Sequence, residues 1–275
     1  HSGLVFNKKM WLFGGTTGSS YLQDSFNTDN GTWVKDNITT TMWSGRENHV
    51  SLRFKGKMWV IGGGNSTSSY GDVWSSSTGL AWNEQTLTNG FSARQGHAGV
   101  VFKNKMWVFG GYFKNPGGDV TFLNDVYSSE DGATWTQESN SASWSGRYGH
   151  ATVVYDDKIW VMGGNNSSGD SKEVWYSTDG INWTQQTSSI VTWDAMKDFG
   201  AQVFDGKIWI LGGNPRTNIF YTFDGTTWSD GQDASWSVRS SLVSFRFDNY
   251  LWVVGGDSGT GGSSHMNDVW KYGKP

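Results

Sequence analysis

Cysteine is absent from the sequence, and proline is nearly so, with three residues among 275. Without cysteine the chain forms no disulfide bond, uses no catalytic thiol and builds no cysteine-ligated zinc site. No apolar run approaches the roughly 18 residues that a membrane-spanning helix needs. A basic excess is also missing, because 25 acidic residues outnumber 21 basic ones. We therefore expect neither a nucleic-acid partner nor insertion into a membrane.

Glycine and tryptophan, in contrast, are abundant, with 38 and 18 residues, and aromatic residues make up 16% of the chain. Serine, threonine and asparagine are frequent too, and they form many short turn signals between short apolar runs. A composition of this kind is typical of an all-β protein.

A Gly-Gly pair recurs six times and reveals an internal repeat. The pairs begin at Gly14, Gly62, Gly110, Gly163, Gly212 and Gly255. Thirteen residues before each pair lies one position, here called the histidine slot, which holds His1, His49, His97, His150, Phe199 and Leu242. This offset never changes, so this half of the unit tolerates no insertion, whereas the half after Gly-Gly varies in length, as loops do.

Each unit is predicted to form four short strands, a to d. Strand a follows the histidine slot, and a two-residue turn such as Asp205-Gly206 leads into strand b, which ends in Gly-Gly. A loop of variable length precedes strand c. An Asp-Gly turn such as Asp179-Gly180 then leads to strand d and its tryptophan.

Paired glycines after strand b, an aromatic residue in strand c and a tryptophan in strand d resemble the kelch repeat. The resemblance covers essentially the whole chain in six copies. It implies one domain over residues 1–275, a six-bladed kelch-type β-propeller. The blades are expected at residues 1–42, 43–90, 91–143, 144–192, 193–235 and 236–275.

The last blade is expected to lack its fourth strand within this chain, because the sequence stops after strand c of the sixth unit. Three explanations stay open. A preceding segment has been removed, the blade has three strands, or another chain donates a strand to the open edge.

An arginine before strand a and an acid at the start of strand c vary together among the units. Four units carry both residues, and the fifth carries Met196 and Asn218 instead. Loss of only one partner would leave a buried charge without compensation. We therefore predict a buried ion pair within each of four blades. The pairs are Arg46–Asp72, Arg94–Asp125, Arg147–Glu173 and Arg239–Asp268.

The repeated histidines and tryptophans admit a functional and a structural interpretation. Clustered imidazoles bind metals, and exposed tryptophans stack on sugars. However, the histidine slot also holds Phe199 and Leu242, and all the tryptophans fall on repeat positions. Packing between blades is the favoured interpretation for both, so no metal site is predicted.

Positions that differ between units are expected to meet a ligand. They follow the arginine position and the Gly-Gly pair. In kelch propellers the d–a and b–c loops share one face around the central channel, and in a kelch sensor of acidic peptides matching positions contact the peptide. We call this surface the loop face. Its candidate ligand-binding residues are Glu47, Asn48, Asn65, Gln95, Tyr112, Phe113, Tyr148, Asn165, Asn166, Lys197, Asp198, Arg216 and Asp257.

The longest b–c loop is predicted in the third unit, from Tyr112 to Asn124, with Tyr112, Phe113 and Phe122 exposed. A long loop is more often functional than a short one. The a–b turns at the other end of the strands carry lysine in the first three units and mainly aspartate in the later ones. The preference of tight turns for certain residues is the simpler explanation of this change in charge along the chain. The alternative is that the charges orient the domain against a partner.

Three functions stay open for this fold, because fold alone does not decide function. The leading one is a non-catalytic module that binds a protein or peptide, and the second is a lectin that binds glycans. The third is a sugar mutarotase, since bacterial sialic-acid mutarotases are also six-bladed kelch proteins. No catalytic residue or cofactor is predicted, and galactose-oxidase chemistry is excluded because its cofactor needs a cysteine. An extracellular or cell-surface location is expected.

Overall fold

The computed structural model describes residues 1–29, 32–115, 117–187, 193–213, 218–259 and 265–273. These residues form β-strands and no helix, as the composition predicts. Consequently, the described part of the chain holds no helix that is long and apolar enough to cross a membrane. The chain divides into two compact units, His1–Ser141 and Ala142–Pro275.

The first unit consists of three antiparallel sheets, each with four strands that pair in chain order. The strands are β1 (Ser2–Phe6), β2 (Lys9–Thr16), β3 (Tyr21–Asp29), β4 (Thr32–Lys35), β5 (Val50–Phe54), β6 (Lys57–Gly64), β7 (Ser69–Ser76), β8 (Asn83–Glu84), β9 (Ala98–Phe102), β10 (Lys105–Lys114), β11 (Val120–Ser129) and β12 (Thr136–Ser139). Each sheet lies within one predicted repeat. Neighbouring sheets meet along their first strands, because β1 contacts β5 and β5 contacts β9.

The second unit has two four-stranded sheets, one three-stranded sheet and one small sheet of two-residue strands. Its strands are β13 (Arg147–Tyr148), β14 (Ala151–Tyr155), β15 (Lys158–Met162), β16 (Asn165–Asn166), β17 (Gly169–Asp170), β18 (Val174–Ser177), β19 (Thr184–Gln185), β20 (Gly200–Phe204), β21 (Lys207–Leu211), β22 (Asn218–Thr222), β23 (Ser229–Asp233), β24 (Val243–Phe247), β25 (Tyr250–Asp257) and β26 (His265–Tyr272). Strands β24, β25 and β26 form a sheet of three. The expected lack of a fourth strand is thus confirmed for the described residues.

Each a–b turn is a tight two-residue connection. Its two central residues have positive φ angles, between 46° and 71° in the six turns. Two successive left-handed residues are the signature of a type I′ turn, whose twist matches that of the flanking strands.

One prediction about loops is wrong. The segment from Tyr112 to Asn124 is no long loop, because β10 and β11 continue to pair as far as Lys114 and Val120. The extension is a β-hairpin whose register places Tyr112 opposite Phe122. All three aromatic residues predicted to be exposed there, Tyr112, Phe113 and Phe122, are half-buried.

Tryptophans of strand d pack edge-on against the aromatic residue that precedes strand a of the same repeat. In the first unit the ring centroids of Trp43 and Trp82 lie 4.6 Å apart with an interplanar angle of 87°. In the second unit Trp193 and Trp228 lie 5.9 Å apart at 74°. None of the 18 tryptophans is exposed, which supports packing over sugar stacking for these residues.

Glycines of the c–d turns pack against strand b of the preceding sheet. A Cβ atom on Gly79 would lie 2.2 Å from the ring of Trp11, and one on Gly132 would lie 2.1 Å from the ring of Trp59. The same relation joins Gly225 to Trp160 in the second unit. Only glycine permits so close an approach, so each contact joins two neighbouring sheets within its unit.

Candidate binding face

The loop face is built on short backbone bridges between the d–a segment and the b–c loop of one repeat. Residues that follow the arginine position pair with residues that follow Gly-Gly. Gln95 and Tyr112 exchange two N–H···O bonds of 2.9 Å. The other bridges are Glu47–Gly64, Tyr148–Asn165 and Ser240–Asp257. In two of these four bridges, Gln95–Tyr112 and Tyr148–Asn165, predicted binding residues from separate segments lie side by side.

A buried arginine lies beneath each of these four bridges. Arg94 donates to both carboxylate oxygens of Asp125 at 2.7 and 2.9 Å, and also to the main-chain oxygen of Gly110 at 3.0 Å. Arg46 holds Asp72 at 2.6 and 2.7 Å, and Arg239 holds Asp268 at 2.5 and 2.8 Å. Arg147 donates to a single carboxylate oxygen of Glu173, and to the main-chain oxygen of Gly163 at 2.9 Å. The arginine thus fixes the strand b terminus, from which the b–c loop departs.

Only half of each ion pair is fully buried. The arginine side chains are 0–1% exposed, whereas those of Asp125 and Asp268 are 12% and 39% exposed. Bidentate bonds to Arg239 lower the pKa of Asp268 to about 2, although partial burial opposes this shift. The carboxylate therefore stays charged at neutral pH. In the fifth repeat Met196 is buried in the arginine position, and the side chain of Asn218 lies outside the described residues.

Residues two positions after the arginine link neighbouring repeats through the backbone. Asn48, Asp198 and Ser241 have φ angles of 54°, 56° and 53°. The N–H of Gly96 donates to the main-chain oxygen of Asn48, and the N–H of Ser241 donates to that of Asp198. Asn48 and Asp198 thus have a structural role in addition to the predicted binding role, because asparagine and aspartate tolerate the left-handed conformation.

The side chains of Gln95 and Asn65 form hydrogen bonds with the segment that joins strands b and c of the second repeat. Gln95 is only 2% exposed, and its amide donates to Ser69 Oγ at 3.1 Å. The Asn65 side chain accepts bonds from the N–H groups of Thr67 and Ser68 and donates to Tyr70 Oη at 2.7 Å. These amides shape the b–c loop of the second repeat, and a binding role for either residue stays a prediction.

The second unit brings three predicted residues, Tyr148, Asn165 and Lys197, together with Asp170 in a group here called the Tyr148 cluster. Lys197 Nζ donates to Tyr148 Oη at 2.7 Å, and Asn165 Nδ2 donates to Asp170 Oδ1 at 2.6 Å. Burial opposes the charge of Lys197, but the bond to Tyr148 and the nearby Asp198 and Asp170 outweigh it and raise its pKa. A fixed ammonium, a phenol and an amide thus lie together at half-buried positions.

The remaining predicted residues lie in or beside the b–c loops. Tyr112 and Phe113 begin the hairpin extension of the third repeat, and Asn166 donates to Ser145 Oγ at 3.0 Å. Asp257 lies 3.1 Å from His265 Nδ1 and accepts the N–H of Gly259. Glu47 is half-buried beside Gly64. Arg216 lies outside the described residues.

Sequence reasoning missed Ser69, Tyr70, Asp170 and His265. Each follows a b–c loop, and its distance from Gly-Gly changes with the length of that loop. Because no fixed offset marks such residues, only the folded loop reveals that they contact predicted ones.

The histidine slot is a packing position in the structure. A Cβ atom on Gly14 or Gly62 would lie 3.0 or 2.8 Å from the imidazole Cε1 of His49 or His97, and Gly163 approaches Phe199 in the same way. Burial, aided by nearby Arg147, lowers the pKa of His150 to about 3. Among the described residues no group of three or more metal-ligating side chains is found.

Comparison with known proteins identifies the family and the fold. Residues 76–238 match the KLHDC2/KLHL20/DRC7 Kelch-repeats domain. No curated protein matches the chain. Among solved structures, the one titled "Structure of YjhT" is similar over 98% of this chain and 92% of that chain, with 17% identity and a TM-score of 0.77. This likeness shows the fold, an all-β kelch-type propeller, as the repeat predicted.

Proposed function

The chain belongs to the family of KLHDC2/KLHL20/DRC7 Kelch-repeats domains, and we propose that this binding module is non-catalytic and takes a protein or peptide through its loop face. The observation that carries the proposal is the set of backbone bridges. They hold different side chains at equivalent places, namely Glu47, Gln95, Tyr148 and Ser240. Repeat proteins create binding surfaces in this way, because a repeated backbone arrangement presents side chains that differ from one repeat to the next.

The Tyr148 cluster supplies the expected anchor. Aromatic side chains held by neighbours dominate the binding energy of many interfaces, because they bury much area and lose little conformational freedom. Tyr148 is fixed by the β13–β16 pairing and by Lys197. Its position therefore requires little ordering when a ligand arrives.

Selection from a peptide library tests the proposal. The domain is used to enrich peptides, and the affinity of a selected peptide is measured by calorimetry. We expect the double variant Tyr148→Ala, Lys197→Ala to bind at least about tenfold more weakly, because one hot-spot residue contributes about 2 kcal/mol or more. A control variant, Val34→Ala, lies on the exposed outer strand β4 and should bind as the parent does.

Failure to enrich any peptide, or equal binding by the double variant, would contradict the proposal. Circular dichroism and thermal unfolding of each variant establish that the fold is retained. Lost binding in a folded double variant then reports on the loop face itself.

A glycan ligand is a second candidate, which the same cluster favours. A tyrosine ring beside an amide, a carboxylate and an ammonium offers both a stacking surface and hydrogen-bonding groups for sugar hydroxyls. A glycan array with the parent and a Tyr112→Ala, Tyr148→Ala variant decides this. Binding that the variant loses supports a lectin, and an empty array leaves the peptide ligand as the proposal.

A further inference from the structure

Three lysines lie in turns whose backbone does not favour lysine. Lys8, Lys55 and Lys103 occupy the a–b turns of the first unit with φ angles of 60°, 46° and 46°. Left-handed turn positions favour glycine, asparagine and aspartate. The second unit follows that preference at the same places. Its left-handed turn residues are Asp156, Asp157, Asp205, Gly206, Asp248 and Asn249.

Turn chemistry therefore explains the aspartates of the second unit but not the lysines of the first. A lysine side chain has no acceptor with which to stabilise a left-handed backbone, as asparagine and aspartate do. The same turn forms with asparagine or glycine, as positions 104 and 56 show. Lysine at these places points to a use for its charge.

These charges face solvent. Lys8, Lys55, Lys57 and Lys103 are exposed. Lys55 Nζ donates to the main-chain oxygen of Glu130 at 2.8 Å and lies 5.2 Å from the centroid of the Phe54 ring. In contrast, Lys105, which begins β10, is half-buried and lies 3.2 Å from the Glu138 carboxylate.

The three turns lie beside one another. Strand β1 packs against β5, and β5 packs against β9. The contact is close, since a Cβ atom on Gly99 would lie 3.0 Å from Val50 Cγ1. The a–b turns that end these strands therefore form a row of positive charge at the end of the first unit away from its loop-face bridges.

We propose that this lysine row, formed by Lys8, Lys55, Lys57 and Lys103, docks an acidic segment of a partner protein. The lysines are arranged in a row, and a row of charges fits an extended peptide with several carboxylates better than it fits one small anion. Phosphate and sulfate groups are recognised preferentially by the planar fork of arginine, and the turns contain none. Within the first unit, this surface lies at the end of the strands opposite to the loop-face bridges.

Binding of poly-L-glutamate at low salt tests the proposal with the whole domain. We expect binding that weakens as salt is raised, because the contacts are exposed charges. The triple variant Lys8→Asn, Lys55→Asn, Lys103→Asn should bind at least tenfold more weakly. It should also melt at least about 2 °C higher, since asparagine suits the left-handed turn. Gain of stability with loss of binding is the result that only a functional use of lysine predicts.

Two control variants distinguish the effect of the lysine positions from the effect of the net charge of the protein. The variant Lys35→Asn, Lys172→Asn, Lys271→Asn makes the same change in net charge at other exposed positions and should bind as the parent does. The variant Lys8→Arg, Lys55→Arg, Lys103→Arg keeps the charge and should retain binding. Unchanged binding by the asparagine variant, or no binding of poly-L-glutamate at all, would overturn the proposal. So would tight binding of heparin or phosphatidylserine vesicles by a domain that ignores poly-L-glutamate.

Discussion

At the scale of single residues, the arginine beneath each loop-face bridge is a buried polar group on which two acceptors depend. Arg94 is fully buried and satisfies Asp125 and the main-chain oxygen of Gly110 at once. We expect Arg94→Met to lower the free energy of unfolding by about 3 kcal/mol, because a buried carboxylate and a carbonyl lose their donor together. Urea denaturation measures this change.

The fifth repeat supplies the matched control for that variant. It places methionine and asparagine where other repeats place arginine and an acid. The double variant Arg94→Met, Asp125→Asn should therefore recover at least about 1 kcal/mol of the loss, since no unpaired charge remains. A double variant as unstable as the single one would show that the two residues do not act as a pair.

A buried histidine makes the stability depend on pH. The folded-state pKa of His150 is about 3, below the value of about 6.5 in an unfolded chain. The unfolded state therefore binds the proton first, and stability falls as the pH drops from about 6.5 towards 3, by up to about 1.4 kcal/mol per pH unit.

His150→Phe should remove this contribution, because Phe199 fills the same slot in the next repeat. Denaturant midpoints at pH 7 and pH 4.5 measure the effect. The variant should lose less stability than the parent between the two values. An identical loss in both proteins would show that His150 is not the group responsible.

At the scale of strands and turns, glycine contacts hold neighbouring sheets together. Gly132 has a φ of 80°, and a Cβ atom there would overlap the ring of Trp59. Gly132→Ala should destabilise the protein by about 3 kcal/mol or more, since backbone strain and overpacking add. Gly56→Ala is the control, with a φ of 71° and open space around the added atom. It should lower stability by only about 1 kcal/mol, and equal losses would contradict the contact.

Among the described residues, no strand pairs with the outer edge of β26. Exposed and half-buried side chains alternate along β26, and Val269 is 38% exposed. Unpaired strand edges accept added strands. A strand donated to this edge by another chain stays a proposal.

At the scale of the whole molecule, the repeat made the fold predictable. Offsets before Gly-Gly never vary, because that half of each unit packs against neighbouring sheets. The six copies therefore indicated the strands, the tight turns and the incomplete last sheet. The copies also indicated that the arginine and the acid of one repeat form a pair, because the fifth repeat lacks both residues.

The loop face was predictable only in outline. Fixed offsets located its starting residues, but the paths of the b–c loops depend on their own hydrogen bonds. The amides of Asn65 and Gln95 serve those loops, and the long loop of the third repeat is a hairpin. No periodic pattern in one sequence encodes such contacts, since each loop occurs once.

Tryptophan fluorescence offers a prediction for the whole chain. None of the 18 tryptophans is exposed, and those of strands b and d pack between strands and sheets. Ligand binding at the loop face should leave the emission maximum unchanged, because tyrosine, lysine and asparagine line that surface. A large shift on binding would mean that a tryptophan contacts the ligand or that the sheets rearrange.

The central claim is that ligands meet the loop face, and photo-crosslinking tests it most directly. A peptide selected by the domain is synthesised with a benzophenone side chain, irradiated in the complex, and the adducts are mapped by mass spectrometry. We expect adducts near Tyr148 and Lys197. Adducts confined to the a–b turns or to the edge of β26 would contradict it.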